Sequence, residues 1–424
     1  MPSAAREAFA AFDALPVVDG IRWRVQNGID NSVLRRKMES AIRFLQAPRE
    51  SFLLLGPRGT GKTTWLRQAL PDALVLDLLR PELFRELSAR PERLRELAAG
   101  APPRAAIVVD EVQRIPELLT VVHEMIESPA RRRFVLTGSS ARKLRQGGVD
   151  LLGGRALYRT MHPFMAAEWP AFRLEGALIH GLLPLVVDSS EPGEVLAAYA
   201  TLYLEQEVRL EGWARDIGAF ARFLEAVSFS HAQVLNVANI ARECSVERKT
   251  AAGYLDVLED LLLSFRLPAF TKRARRATAS HPKFYLFDTG VFRSLRPRGP
   301  LDAPAEIDGA ALEGLVAQHL RAWLAYSSRD GDLATWRTRS GVEVDFVVHG
   351  EAGFWAVEVK NAGRVRPEDL AGLEAFGADY PEATRVLLFR GRERSRVRGT
   401  WCVPVERFLK EMRPDRGLTD WLED

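Results

Sequence analysis

One stretch of this chain carries residues whose types and spacing point directly to phosphate chemistry. Gly56, Pro57, Arg58, Gly59, Thr60, Gly61, Lys62 and Thr63, with Thr64 behind them, satisfy the pattern GxxxxGK[ST]. They follow the short apolar run SFLLLG and open a helical stretch, the context such a loop requires. The glycines let backbone N–H groups curl round phosphates, and the helix N-terminus adds partial positive charge. Lys62 is expected to reach the β- and γ-phosphates of ATP, and Thr63 to ligate Mg²⁺. Further on, AAIVVDE reads as a buried strand ending in Asp110, placed to hold the metal's water shell, with Glu111 placed to polarise the attacking water. Phosphoryl transfer depends mostly on positioning and electrostatics, so these few groups suffice. A later strand ends in LTGSS, where Thr137 or Ser139 is a candidate sensor of the γ-phosphate. The alternative for the serine is a helix N-cap. Arg155, in LLGGR, could act as an arginine finger toward a neighbouring subunit of a homo-oligomer, or be a surface arginine bound to nothing.

A second set lies near the C-terminus. Glu358 and Lys360 are two apart in FWAVEVK and project from one face of a strand. Asp345 is expected at the end of the preceding strand, VEVDFVV, and Glu313 sits on an earlier helix, one position after Leu312. Glu313, Asp345 and Glu358 could hold Mg²⁺ through oxygen ligands, with Lys360 orienting a nucleophile. The alternative is a sheet used for binding or packing, its carboxylates satisfied by ion pairs.

Basic residues are clustered although the net charge is only 59 − 56 = +3. Arg390, Arg392, Arg394, Arg396 and Arg398 recur at every second position, a stripe on one face if the segment is extended. Arg248 and Lys249 open a helix, and KRARR at 272–276 forms a basic loop. DNA is the expected partner of such features; solvated faces or a protein-binding module are the bland alternatives. Seven histidines show no metal-ligand spacing, and Trp336 beside Arg337 is expected to pack on a sheet.

These groups need elements to position them. The segment 30–47 reads as an amphipathic helix ending at Pro48. SFLLLG, ALVLDLL, AAIVVDE and RRFVLTGSS alternate with helical stretches, including a charged one over 82–99 and LLTVVHEMIE. That alternation predicts an α/β fold with a parallel sheet covered on both faces. Three units follow: 1–165 around the phosphate loop; 166–300, helical, with a helix-turn-helix at 235–268 and the strand KFYLFD; and 301–424, mixed α/β. With 47% hydrophobic and 27% charged residues the composition is that of a soluble globular protein. Two cysteines give no disulfide framework, and no apolar run approaches the roughly 20 residues that span a bilayer. A cytoplasmic location with no membrane partner is expected.

Taken together, LLGPRGTGKTT, VVDEVQRIPELL, FVLTGSSARKL and LLGGRALYRTMHPF resemble the STAND-related AAA+ ATPases of bacteria and archaea, and the downstream stretches LNVANIARECSVERKTAAGYLDVLEDLLL, PKFYLFDTGV, ALEGLVAQHL, WRTRSGVEVDFVV and AVEVK resemble them too. The resemblance covers about residues 30 to 390. It implies an AAA-type P-loop sheet followed by a winged helix and a restriction-endonuclease-like domain of the PD-(D/E)xK kind. In that pattern Val344 stands where proline would precede Asp345. Three functions remain open: a DNA-directed ATPase, a signalling or scaffold ATPase whose nucleotide state controls self-association, and an ATP-regulated Mg²⁺-dependent endonuclease.

Overall fold

The computed structural model describes residues 41–422 except 130, 141–150, 204–216, 272–280, 298, 301 and 328. The basic loop 272–276 and the start of the helix expected at 30–47 lie outside the described residues.

The first unit runs β1 (Phe52–Leu55), α1 (Lys62–Ala69), β2 (Leu74–Asp77), α2 (Pro81–Ala89), α3 (Arg93–Ala99), β3 (Ile107–Asp110), α4 (Leu118–Glu127), β4 (Phe134–Gly138) and β5 (Leu157–Thr160). The strands form one sheet in the order β2-β3-β4-β1-β5, every pair parallel. β1, β3 and β4 are buried along their whole length, as unbroken apolar runs covered on both faces must be. Their side chains alternate between two cores. Leu53, Leu55, Ile107 and Val109 meet α2, α3 and α4, whereas Phe52, Leu54 and Val108 meet Trp65 and Leu66 of α1. The architecture is that of a P-loop NTPase-like core.

Two expectations needed correction here, and one strand was missed. The charged stretch 82–99 is two helices, because Pro91 excludes the helical conformation just before it. Residues 41–47 are not helical; tertiary bonds hold them, Phe44 N–H donating to Glu168 Oε1 at 2.6 Å and Arg43 pairing with Glu168 Oε2 at 3.1 Å. The edge strand β5, sequence LYRT, was not anticipated, since a short half-exposed edge carries little apolar signal.

The second unit comprises α5 (Leu174–His180), α6 (Pro184–Val187), α7 (Pro192–Ala198), α8 (Ile217–Ser228), β6 (Gln233–Val234), α9 (Val237–Glu243), α10 (Arg248–Asp260), β7 (Ser264–Leu267), β8 (Lys283–Leu286) and α11 (Thr289–Leu295). α9 and α10 are consecutive helices joined by a short turn at Cys244–Glu247. Asn236 caps α9 through the Asn239 N–H, and Leu255, Leu258 and Leu261 are buried. Leu262 leaves the helix at φ 59° and packs against the first unit's core instead. β8 lies between β6 and β7, antiparallel to both.

The third unit holds α12 (Pro304–Tyr326), β9 (Gly331–Arg337), β10 (Glu343–Gly350), β11 (Gly353–Lys360), α13 (Ala371–Asp379), β12 (Thr384–Phe389), β13 (Ser395–Val397), β14 (Thr400–Pro404) and α14 (Val405–Glu411). Its six-stranded sheet has the order β13-β14-β12-β11-β10-β9. Trp336 is buried against Phe376, as expected of a packing residue. No helix among the described residues is long and apolar enough to cross a membrane.

The second and third units share one apolar core, which includes Leu255, Leu286, Leu315 and Val403. Two backbone bonds join them, Phe270 N–H to Thr335 O at 2.7 Å and Thr335 N–H to Pro268 O at 2.9 Å. His231 fits the same seam. Its Nδ1 accepts the Leu286 N–H at 3.0 Å, its ring stacks on Phe292, and its Nε2 lies against Gly314 of α12. A β-carbon at position 314 would stand 2.2 Å from that nitrogen. Gly314→Ala is therefore expected to lower unfolding free energy by about 1–3 kcal/mol through overpacking, read from urea or thermal denaturation; unchanged stability would mean that the seam is loose.

Candidate functional site

The phosphate loop takes its shape from its glycines. Gly59 and Gly61 have φ of 82° and 85°, left-handed conformations that glycine adopts without a steric penalty. Gly61 is the N-cap of α1, so the helix begins at Lys62 with its N-terminus at the loop. Lys62 is buried and donates from Nζ to the loop carbonyls of Gly56 (2.7 Å) and Pro57 (3.3 Å). Thr60 Oγ1 closes the turn onto Pro57 O at 2.8 Å.

Thr63 points to the end of β3. Its hydroxyl donates to Asp110 Oδ2 at 2.7 Å, and Thr137 of β4 donates to Asp110 Oδ1. The buried carboxylate is thus fixed by one hydroxyl from the loop helix and one from the neighbouring strand. Thr137 Oγ1 also accepts the Glu111 N–H at 3.1 Å. Glu111 itself adopts a left-handed backbone, φ 61° and ψ 43°, an uncommon state for a residue with a β-carbon and one that concentrates at functional sites. Gln113 then bridges Glu111 to Ser139: its Nε2 donates to Glu111 Oε2 at 2.5 Å and to Ser139 Oγ at 3.1 Å. The predicted residues Lys62, Thr63, Asp110, Glu111, Thr137 and Ser139 therefore converge at the C-terminal ends of β1, β3 and β4. The loop geometry and a hydroxyl–carboxylate pair beside a lysine are a donor set that fits a magnesium–triphosphate. Sequence reasoning missed Gln113, whose only signal was its place in DEVQR, two residues past Glu111.

Arg155 is elsewhere. Its guanidinium is exposed and paired with Glu127 at the C-terminal end of α4, Nε at 2.6 Å and Nη2 at 2.5 Å.

The outer surface of the loop is covered by the second unit. Leu185 N–H of α6 donates to Gly59 O at 3.2 Å, and the Tyr199 hydroxyl donates to Arg58 O at 3.2 Å. Just before α6, the Leu182 N–H donates to Asp288, which caps α11 two residues after β8.

The C-terminal set also assembles, with lysines among its acids. Glu313, Asp345 and Glu358 come together, and Lys360 Nζ donates to Glu358 Oε1 at 2.7 Å. Lys283 of β8 stands among them, its Nζ 2.9 Å from both Glu313 Oε1 and Asp345 Oδ1. Tyr285 donates its hydroxyl to Glu313 Oε1 at 2.6 Å. Burial first, and the Asp345 charge second, raise Glu313 and Glu358 above the usual carboxylate range. Burial works against the Lys283 charge, but Asp345 and Glu313 outweigh it and hold the ammonium above the usual lysine range. Among the described residues, no group of three or more His, Cys, Asp or Glu is arranged to hold a metal ion. Two members of the expected Mg²⁺ set of Glu313, Asp345 and Glu358 thus share an ammonium, which lies between Glu313 and Asp345.

The arginine stripe is not continuous either. Only 395–397 is strand. Arg390 pairs with Glu175, Arg394 donates to Leu422 O at 3.1 Å, Arg396 lies over the Trp401 ring and Arg398 pairs with Glu374 at 3.1 Å. A bend at 392–393 breaks the alternation on which the one-face reading depended.

Comparison with known proteins agrees with the first site. Residues 48–169 match the family described as an AAA domain. This unit is that of a nucleotide-binding AAA-type ATPase. Behind the AAA domain, residues 172–302 and 308–408 match two domains of unknown function, DUF8612 and DUF4143. The uncharacterized proteins Rv2008c of Mycobacterium tuberculosis and Mb2031c of Mycobacterium bovis are each 27% identical over 391 residues, covering 89% of this chain and 85% of the relative. Protein VC1899 from Vibrio cholerae, a solved structure, aligns over 88% of this chain and 98% of its own at 12% identity. The TM-score of that alignment is 0.22.

Thr137 bonds to both members of the acidic pair, Asp110 and Glu111. Thr137→Val leaves the Glu111 N–H without its acceptor, a loss of about 1–3 kcal/mol in stability. ATP turnover is expected to fall roughly tenfold with little change in KM, and Thr137→Ser to restore it. Steady-state kinetics of both variants check this; a Thr137→Val enzyme with unchanged kcat would remove the residue from the account.

Proposed function

We propose that this chain binds and hydrolyses ATP with Mg²⁺ at the AAA domain, and that nucleotide state repositions the helix-turn-helix unit and the C-terminal sheet on DNA. The observation that carries the ATPase reading is the convergence of Lys62, Thr63, Asp110, Thr137 and Glu111 on one end of the parallel sheet.

In this reading Lys62 exchanges its two loop carbonyls for phosphate oxygens, so its charge is already desolvated and positioned before substrate arrives. The N–H groups of the loop and of the start of α1 hold the remaining phosphate oxygens. Thr63 and Asp110 would hold Mg²⁺, which when bound would neutralise charge on the phosphates. Glu111, once released from the Gln113 amide, accepts a proton from the attacking water. Ser139, held by that same amide, senses the γ-phosphate. A small cleft beside the loop is lined by Arg43, Thr64, Trp65, Gln68 and Phe164. Arg155 acts between copies in a homo-oligomer, exchanging Glu127 for a neighbour's phosphate.

The contacts of α6 and Tyr199 with Gly59 and Arg58 support coupling, because any shift of the loop on phosphate binding acts directly on the second unit. The DNA reading rests on α9 and α10 being followed by the antiparallel β7 and β8, the order of a winged helix, and on the exposure of Arg248 and Lys249 at the start of α10. A second reading, a nucleotide-controlled scaffold, is favoured by the internal pairing of Arg390, Arg394 and Arg398.

Turnover and binding measurements separate these. Wild-type chain is expected to hydrolyse ATP, and Glu111→Gln to retain nucleotide binding while slowing hydrolysis about 100-fold or more. Duplex DNA is expected to bind with an affinity that falls steeply with salt, a slope near 0.9 per phosphate contacted in logarithmic units, and to alter the ATPase rate. ATPase indifferent to DNA, with assembly that differs between ADP and a non-hydrolysable ATP analogue, would replace the DNA reading by the scaffold. Absence of any ATP turnover would remove both.

A further inference from the structure

The C-terminal carboxylates present a problem that the AAA domain does not solve. Three acids from three elements, Glu313 of α12, Asp345 of β10 and Glu358 of β11, lie side by side in the protein interior, with side-chain exposures of 16%, 7% and 7%. Such a concentration of negative charge in a medium of low dielectric needs compensating cations. Two are present, and both belong to the chain. Lys360 reaches Glu358 from the strand edge and stays about one-third exposed. Lys283 comes from β8 of the second unit and is enclosed, its side chain 5% exposed.

The hydrogen-bond assignment leaves little room for a metal. Asp345 gives Oδ1 to Lys283 and Oδ2 to the Val359 N–H at 2.9 Å. Glu358 gives Oε1 to Lys360 and Oε2 to the Asp345 N–H at 3.3 Å. Glu313 gives Oε1 to both Lys283 and Tyr285. Magnesium demands near-octahedral oxygens at about 2.0–2.1 Å. Here the Lys283 nitrogen lies 2.9 Å from both Glu313 Oε1 and Asp345 Oδ1, so an ion bridging those two atoms would have to displace it. Adding a divalent cation beside it would set like charges together where screening is weak.

We propose that Lys283 is the resident cation of this cluster. Its ammonium stands in the place of a metal, so that the C-terminal sheet in this fold takes up no divalent ion, and the carboxylates act as a latch that fastens β8 to the third unit. Tyr285, two residues along the same strand and on the same face, is the second tooth of that latch. The inference is independent of the ATPase reading, since it concerns residues that do not touch the phosphate loop.

Manganese, used as a spectroscopic probe, tests it in the full chain without nucleotide and carrying Lys62→Ala. Electron paramagnetic resonance titration is expected to show no bound Mn²⁺ at millimolar concentration in this parent. Adding Lys283→Gln, which removes the charge, is expected to create one Mn²⁺ site, and adding Asp345→Asn to abolish it again. Hydrogen exchange of the β8 amides is expected to quicken in Lys283→Gln. The proposal is overturned if the parent binds Mn²⁺ and Asp345→Asn removes it, or if folded Lys283→Gln gains no site, or if β8 exchange is unchanged. Should Lys283→Gln fail to fold, the parent compared with Asp345→Asn still decides, and Lys283→Arg, which keeps the charge, is expected to fold and to bind none.

Discussion

A buried carboxylate shared between two threonine hydroxyls is the constraint on which the first site depends. Asp110 ends β3, and it accepts from Thr63 on the helix that follows the phosphate loop and from Thr137 on the adjacent strand. These bonds fix the loop helix, the acid and the fourth strand relative to one another before any ligand is present. Thr137 extends the arrangement by accepting from the Glu111 N–H, which sets the turn in which Glu111 is held. Catalysis by positioning requires this kind of prior order, because reorganisation at the moment of reaction would consume the advantage.

The strand β8 has a comparable role between units. One residue beyond its following Phe287, Asp288 receives the Leu182 N–H that leads into α6 and so to the loop. At the strand's own start, Lys283 enters the carboxylate cluster of the third unit. His231 is bonded to its last residue and packed against α12. β8 together with the cap that follows it therefore links the element that covers the phosphate loop to the C-terminal sheet. That placement makes β8 the natural carrier of any displacement between them.

The legible and illegible parts of this molecule divide along the range of the interactions. SFLLLG, IVVDE and FVLTG announced their strands because buried parallel strands leave unbroken apolar runs. GPRGTGKT announced its turn because only glycine adopts the conformations at 59 and 61 at no cost. Glu313, Asp345, Glu358 and Lys360 were rightly grouped, since their spacing reflects one sheet and one helix. Lys283 was not, although its strand was recognised. Nothing within KFYLFD says that its first side chain will meet an acid sixty-two positions later. The arginines at 390–398 misled as well: their alternation was real in sequence, but the chain bends among them and they pair with acids and carbonyls distant in sequence. The N-terminal segment failed likewise, since Glu168 outbids helical hydrogen bonding for the Phe44 N–H.

The central claim, that Lys62, Thr63 and Asp110 form one site for a magnesium–triphosphate, is met most directly by calorimetric titration of ATP into the full chain with and without Mg²⁺. The account predicts one ATP bound per chain, markedly more tightly when Mg²⁺ is present, with that dependence lost in Asp110→Asn. Binding that is absent, or that ignores Mg²⁺ and is unaffected at position 110, would contradict it.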